Sequence, residues 1–458
     1  MTERRDGLTQ RFVEYALGLG YEDIPPQVIE RAKHLFLDFL GVAFGGRDSE
    51  STGPVMKAVR ELAAGAKGSA TVVGGRRSFP AQYAALLNGI LAHSMDFDDT
   101  HRDSIMHPGT PLFSTLLALA EGSHATGRDF LASAVAGYDV LGKLGRAHGE
   151  GVHKRGFHPT ATTGIFGAVA GGARLLRLDE EKLRNALGLA LSQSAGSLQF
   201  LENGAWNKRI HVGQAAHNAV VSLTFARHGA VGASEPLEGR FGYFHLFSEE
   251  PLDLEKAVRG LGSEFEVMNT AIKPYPCCRY NHGVIDALTA LAREHGLRPD
   301  DVARVDVGLN RVGLSLVAEP EKPKQHPKTV VDGQFSVYFA AAVALLERNY
   351  TWQSYSRLED PAVVSLMERV HAAAKPEIGP LGASVRVTTR QGGSLSAKVA
   401  LAKGEPETPL TWEELLAKFR PLARSALSER QAEALIQQVA SLEKVEDMTS
   451  LTALLRPA

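Results

Sequence analysis

AALLNGILAHSMDFDDTHRDSIMHPGTPLFSTLLALAE, residues 84–121, holds two apolar segments separated by a polar loop. Leu, Ile and Ala recur at helical spacing on both sides, and Pro111 stands where a helix start tolerates proline. The stretch therefore predicts a buried helix, a loop and a second buried helix. Asp96, Asp98, Asp99, His101, Asp103 and His107 all fall in that loop. Charge so close to apolar segments is costly unless it is paired or used. Asp and Thr are also good helix caps, because their oxygens accept bonds from the orphan N–H groups of a first turn. Taken alone, the loop leaves capping and chemistry both open.

Composition narrows the function classes. At 458 residues the chain exceeds what one hydrophobic core normally supports, so two or three domains are expected. Its 44% hydrophobic and 22% charged content is that of a soluble globular protein. Lys plus Arg (50) nearly balances Asp plus Glu (52), so neither a nucleic-acid backbone nor a membrane surface is an expected partner, and a small molecule is. The N-terminus lacks a leader-like apolar stretch, and no run of 18 apolar residues predicts a membrane span. Cysteine occurs only as Cys277-Cys278, too few for a disulfide framework or an iron–sulfur cluster. A reduced, cytoplasmic protein is expected.

Outward from the loop, helical periodicity holds from Gly7 to Gly45 with a break at Pro25-Pro26, and again through DFLASAVAGYDVLGKLGRAHG. The segment GFHPTATTGIFGAVAGGARLLRL sets His158-Pro159 before a Gly- and Ala-rich helix whose small side chains permit close packing, which predicts a central place in a bundle. In NKRIHVGQAAHNAVVSLTFARHG, Lys208, Arg209 and His211 are expected just ahead of an apolar helix. Up to about residue 262 no strand alternation is found beyond a short piece at Ala70, so the first part is read as all-helical. After Phe265 the pattern changes. Val302–Leu309 alternates as a half-buried strand, QFSVYFAAAVALLERN reads as a buried helix, and 383–401 reads as a hairpin turning at RQGGS. Helices return from Thr411, and periodicity does not say which domain they join.

Several signatures are missing: no GxGxxG opens a strand–helix unit, and there is no GxxxxGK[ST], GxSxG or HExxH. What remains is a set of loop residues ahead of helices: Asp96, Thr100 and His107, then His158, then Lys208 with Arg209 and His211, then Lys273 with Arg279 and His282. Cations and helix N-termini suit a carboxylate substrate, and histidines with an orienting Asp suit proton transfer next to a carboxylate. Each residue has a bland reading too. A histidine before proline enters helices, a single lysine is usually solvated, and Cys277 and Cys278 are read as structural.

ALLNGILAHSMDFDDTH…HPGTPLFSTLLALAE, GFHPTATTGIFGAVAGGARLLRL, NKRIHVGQAAHNAV, KPYPCCRYNHGVIDAL and KGEPETPLTWEELLAKFR together resemble the MmgE/PrpD family, in order and over nearly the whole chain. The resemblance implies a mainly α fold: a large helical domain from both chain ends (1–264 and 407–458) and a smaller α+β lid domain (265–406). It also implies a homodimer that uses no metal or organic cofactor. It points to Asp96, Thr100, His107, His158, Lys208 and Lys273 as catalytic, with Arg279, His282 and Tyr338 on the substrate. Asp98, Asp99 and His101 are left to cap, pair or shape the turn. Two departures bear on substrate. THRDSIMHPGTP replaces the tryptophan-rich HPSDN-type loop of 2-methylcitrate dehydratases, and Cys278 stands where the decarboxylase branch has a histidine.

The expected activity is thus a cofactor-independent lyase on a small di- or tricarboxylate, resembling 2-methylcitrate dehydratase. A cis-aconitate-type decarboxylase or an iminodisuccinate-type epimerase is the alternative within the family. A non-catalytic carboxylate-binding protein is the alternative from another class; it would keep the cations and lose the proton-transfer residues, all of which are present here.

Overall fold

The segments flanking the acidic loop form the helices Ala81–His93 and Gly109–Ser123 in the computed structural model, which describes residues 7–249 and 253–457. Both are buried along nearly their whole length, as their apolar content requires. The chain divides into two units: Met1–Ser94, Asp98–Ala271 and Trp412–Ala458 in the first, Met95–Phe97 and Ile272–Thr411 in the second. The fold is mainly α with a small sheet-containing domain. Among the described residues no helix is long and apolar enough to cross a membrane.

In the first unit the Gly- and Ala-rich helix Pro159–Leu175 is central. It packs on Gly127–His148, Gly109–Ser123 and Asn207–Arg227, and all but one of its side chains are buried. Phe36 lies 5.2 Å from Phe113 and 4.8 Å from Phe130, centroid to centroid, and Phe113 meets Tyr138 at 5.7 Å, so aromatic rings join the helices Pro26–Gly45, Gly109–Ser123 and Gly127–His148. The C-terminal helix Trp412–Ala423 lies on Pro26–Gly45, where Lys418 reaches the buried Asp38 at 2.5 Å.

Two expectations need correction. The acidic loop is not free of strand, because Thr100–His101 pairs antiparallel with Thr270–Ala271; a two-residue ladder is too short to leave any alternation in the sequence. Lys208, Arg209 and His211 do not precede their helix. They occupy its opening turns, since the helix runs Asn207–Arg227.

The second unit carries a four-stranded sheet in the order Val370–Ala374, Val302–Leu309, Ala383–Thr389, Ser394–Val399; the first pair is parallel and the others antiparallel. The strand at Val302 and the hairpin match the sequence reading. Val370–Ala374 was not foreseen, because VHAAA has one β-branched residue and no alternation. Helices His282–Glu294 and Val337–Glu347 pack together, and the first also lies on the hairpin strands.

Close approach of two backbones sets one helix pair of the first unit. A Cβ on Gly89 would fall 2.7 Å from the Cα of Gly213, and one on Gly213 would overlap the Leu86 carbonyl oxygen. The helices so joined are Ala81–His93, which ends in His93, and Asn207–Arg227, which begins beside Lys208. Gly213→Ala is therefore expected to cost about 1–3 kcal/mol by overpacking, read as a lowered midpoint in urea unfolding. An unchanged midpoint would mean that the helices part without cost.

Candidate active site

Asp98 is the hub of the first unit's polar cluster. Its Oδ2 accepts from His93 Nδ1 at 2.7 Å and from the Thr110 hydroxyl at 2.7 Å, and its Oδ1 lies 3.2 Å from His107 Nδ1. All three partners come from ordered elements. His93 is the last residue of Ala81–His93, Thr110 lies in the first turn of Gly109–Ser123, and His107 is two residues ahead of that helix. Asp99 holds the same helix start, accepting from the Gly109 N–H at 3.0 Å and from the Tyr138 hydroxyl at 2.7 Å. His101 Nε2 meets Glu266 at 2.9 Å, and Arg146 binds the same carboxylate at 2.8 Å. These three loop residues pair and cap. Asp98 does so on two imidazoles at once.

The imidazoles continue outward. The His93 ring meets His107 edge-on at 4.6 Å and stacks on His158 at 5.8 Å, and His158 lies 5.9 Å from both His211 and Phe200. His158 precedes Pro159 at the start of its helix, with its backbone N–H on the Gly196 carbonyl at 2.9 Å. His93 Nε2, His158 Nδ1 and His211 Nδ1 are buried with no protein hydrogen-bond partner, as is the Thr100 hydroxyl. Buried polar atoms are normally satisfied, so several orphans in one cluster mark a place where a ligand supplies what the protein does not.

Electrostatics agree with that reading. Burial lowers the pKa of His107 to about 4, against the pull of Asp98. Burial lowers His158 well below its ordinary value too, helped by His93 and Lys208. Burial pushes the Asp98 carboxyl up, but His107 and His93 together outweigh it and hold it well below the usual carboxylate range. At rest Asp98 is thus a carboxylate while His107 and His158 are neutral imidazoles, with Lys208 near enough to act on both rings. Among the described residues, His93, Asp98 and His107 are also the group whose donor atoms lie within 4.8 Å of one another, near enough to share a cation; their 2.7 and 3.2 Å contacts equally suit shared protons.

The second unit holds the other expected residues. Asp96 sits at φ 51°, a left-handed conformation unusual for a residue with a side chain. Lys273 secures it, reaching the Asp96 carbonyl at 2.8 Å and its carboxylate at 3.2 Å, with both side chains buried. Arg279 is ion-paired with the buried Glu405, through Nε at 3.1 Å. His282 donates through Nε2 to the Cys277 carbonyl at 3.2 Å, and Tyr338 lies in the unit's core with its hydroxyl 3.4 Å from the Ala318 carbonyl. Arg209, weighed beside Lys208, is anchored in the first unit by the Ser49 and Ser51 hydroxyls at 3.0 and 3.1 Å.

The MmgE/PrpD N-terminal domain model matches residues 10–255 and the MmgE/PrpD C-terminal domain model matches 275–444. The chain belongs to the MmgE/PrpD family. Similar proteins include a cis-aconitate decarboxylase-like protein oryM of Aspergillus oryzae, 29% identical over 98% of this chain and 97% of its own. The cis-aconitate decarboxylase of Aspergillus terreus is 28% identical over 98% and 96% of the two chains, and that of Mus musculus 28% over 98% and 93%. As an MmgE/PrpD protein the chain is a lyase.

Of the residues the sequence pointed to, the fold sets His107 on Asp98, His158 beside His93, and Lys208 near enough to act on both of those imidazoles. His93 was not singled out. A histidine ending an apolar helix reads as a buried core residue, and its pairing with Asp98 across the loop follows no motif. The one signal was a titratable group in the last turn of AALLNGILAH.

Proposed function

We propose that this MmgE/PrpD lyase is a decarboxylase of a cis-aconitate-type unsaturated tricarboxylate. The observation that carries the reading is its likeness to cis-aconitate decarboxylases over 98% of the chain. The dehydratase reading favoured by the sequence alone gives way to it, and the loop THRDSIMHPGTP already departs from the dehydratase pattern. In such a substrate one carboxylate is allylic to the double bond. Its C–C bond breaks, CO2 leaves, and the electron pair moves through the double bond to the carbon beside another carboxylate, where one proton is added. Cations stabilise that charge, and a positioned acid delivers the proton. We assign the acid to His107 or His158, carboxylate binding to Lys208 and support of the opening loop to Thr100; in the second unit Lys273 holds Asp96. Arg279, His282 and Tyr338 contribute through the structure around them.

The reading includes a cytosolic location, supported by only two cysteines in 458 residues, and a homodimer, supported by exposed Phe225, Val231 and Phe241. The test is to offer cis-aconitate, 2-methylcitrate, citrate and iminodisuccinate separately in deuterated buffer. The expected result is CO2 from cis-aconitate with one solvent deuteron in the product. No CO2 from any of them, with dehydration or with deuterium in recovered substrate instead, would replace the decarboxylase by a dehydratase or an epimerase. Tight binding without product would point to the non-catalytic alternative.

One consequence concerns pH. Burial keeps His107 and His158 neutral at rest, yet the reaction needs an acid, so the proton has to arrive with the substrate. A polyanion beside His107, His158 and Lys208 favours the imidazolium form and raises these lowered pKa values. Binding is then linked to proton uptake, and affinity falls as pH rises, by up to about tenfold per pH unit for each proton taken up. Calorimetric titration in buffers of different ionisation enthalpy should show that uptake near pH 7. Heats independent of the buffer would contradict it.

A further inference from the structure

We propose that Asp98 and His93 form a positioning pair that holds His107 in a single tautomer and orientation, making Nε2 the working atom of His107. The inference rests on the proposed function only for its kinetic consequence. The geometry stands by itself.

Asp98 is buried and acceptor-only when ionised, so an imidazole nitrogen facing it carries the proton. His93 Nδ1 at 2.7 Å and His107 Nδ1 at 3.2 Å both face it, each on its own oxygen. The 2.7 Å hydrogen bond puts a proton on His93 Nδ1, and the carboxylate oxygen facing His107 Nδ1 at 3.2 Å favours the same tautomer there, which leaves His107 Nε2 as the acceptor. The Thr110 hydroxyl at 2.7 Å adds a third donor from the helix start that Asp99 anchors, so the carboxylate is tied to the frame as well as to the rings. His93 completes the arrangement by contact. Its ring stands edge-on to His107 at 4.6 Å, stacks on His158 at 5.8 Å, and buries its own Nε2 with no protein partner. Its ring therefore contacts both of the histidines expected to move protons. A ring locked by Asp98 is thus the wall against which His107 and His158 are set, and a carboxylate that fixes a tautomer is a known way to aim an imidazole.

The test has two arms. In protein labelled with 15N at its 16 histidines, with His93→Gln and His107→Gln used to assign the signals, the ring shifts should show both residues protonated at Nδ1. Asp98→Asn, whose amide can donate, should turn His107 to the Nε2-protonated form. This arm needs no substrate, so it stands even if the decarboxylase reading fails. In the kinetic arm, Asp98→Asn should lower kcat by at least about 100-fold while the dissociation constant of a tricarboxylate and the melting temperature stay near wild type. Asp98→Glu, which restores the charge, should recover part of kcat. Wild-type His107 protonated at Nε2, or an Asp98→Asn enzyme with kcat within about threefold of wild type, would overturn the proposal. If Asp98→Asn does not fold, Thr110→Val and His93→Gln decide. The proposal requires a kcat loss with His93→Gln greater than with Thr110→Val, and equal effects overturn it.

Discussion

His107→Gln is expected to fold and to lose about 10²–10⁴-fold in kcat/KM. Glutamine keeps a donor toward Asp98, and His93 and Thr110 remain on the other carboxylate oxygen, so no buried charge is stranded. What disappears is a group that can hold a proton and release it to carbon. His107→Ala should lose at least as much and melt lower, because removing the ring also strips the contact it makes with His93 at 4.6 Å. The measurement is steady-state kinetics beside a thermal melt. Activity within tenfold of wild type would move the acid to His158 and make His107 an accessory.

Lys273→Met carries the largest expected cost in stability. The lysine is 3% exposed at its side chain and Asp96 is 8% exposed, so the substitution takes the cationic partner from a buried carboxylate. Breaking a buried pair from one side typically costs about 3–5 kcal/mol, most of it the penalty of the charge left behind. Here the same Nζ also holds the Asp96 carbonyl at 2.8 Å, and with it a residue at φ 51°. Asp96→Asn in the Lys273→Met background should recover part of the loss, because asparagine tolerates the left-handed conformation and carries no charge. Urea unfolding of the two single variants and the double variant gives the coupling. A single-variant cost under about 1 kcal/mol would mean that the pair is solvated or replaceable.

His107 and Lys273 were both legible as candidates, from titratable residues ahead of helices and from family likeness. The sequence could not say that Lys273 is bound to Asp96, 177 positions away, or that Arg279 answers to Glu405 rather than lying open to a ligand. Lone cations read as solvated or functional; a buried internal partner distant in sequence leaves no local trace. Tyr338 likewise read as a site residue and packs in the second unit's core, inside a helix so uniformly apolar that periodicity could not tell one face from another.

Hydrophobic period alone determined much of this protein. It marked the buried helices on either side of the acidic loop, the Gly- and Ala-rich helix at the centre of the first unit, the strand at Val302 and the hairpin at 383–401. These are local properties, set by which side chains share a face over a few turns. Only the tertiary structure decided what the loop does with its charge. Asp98 was grouped with Asp99 and His101 as a residue that caps, pairs or shapes the turn, and His93 was not singled out. They become a pair because the end of one helix and the start of the next bring both histidines onto a single desolvated carboxylate. That geometry follows from helix packing in three dimensions, for which residue spacing has no code.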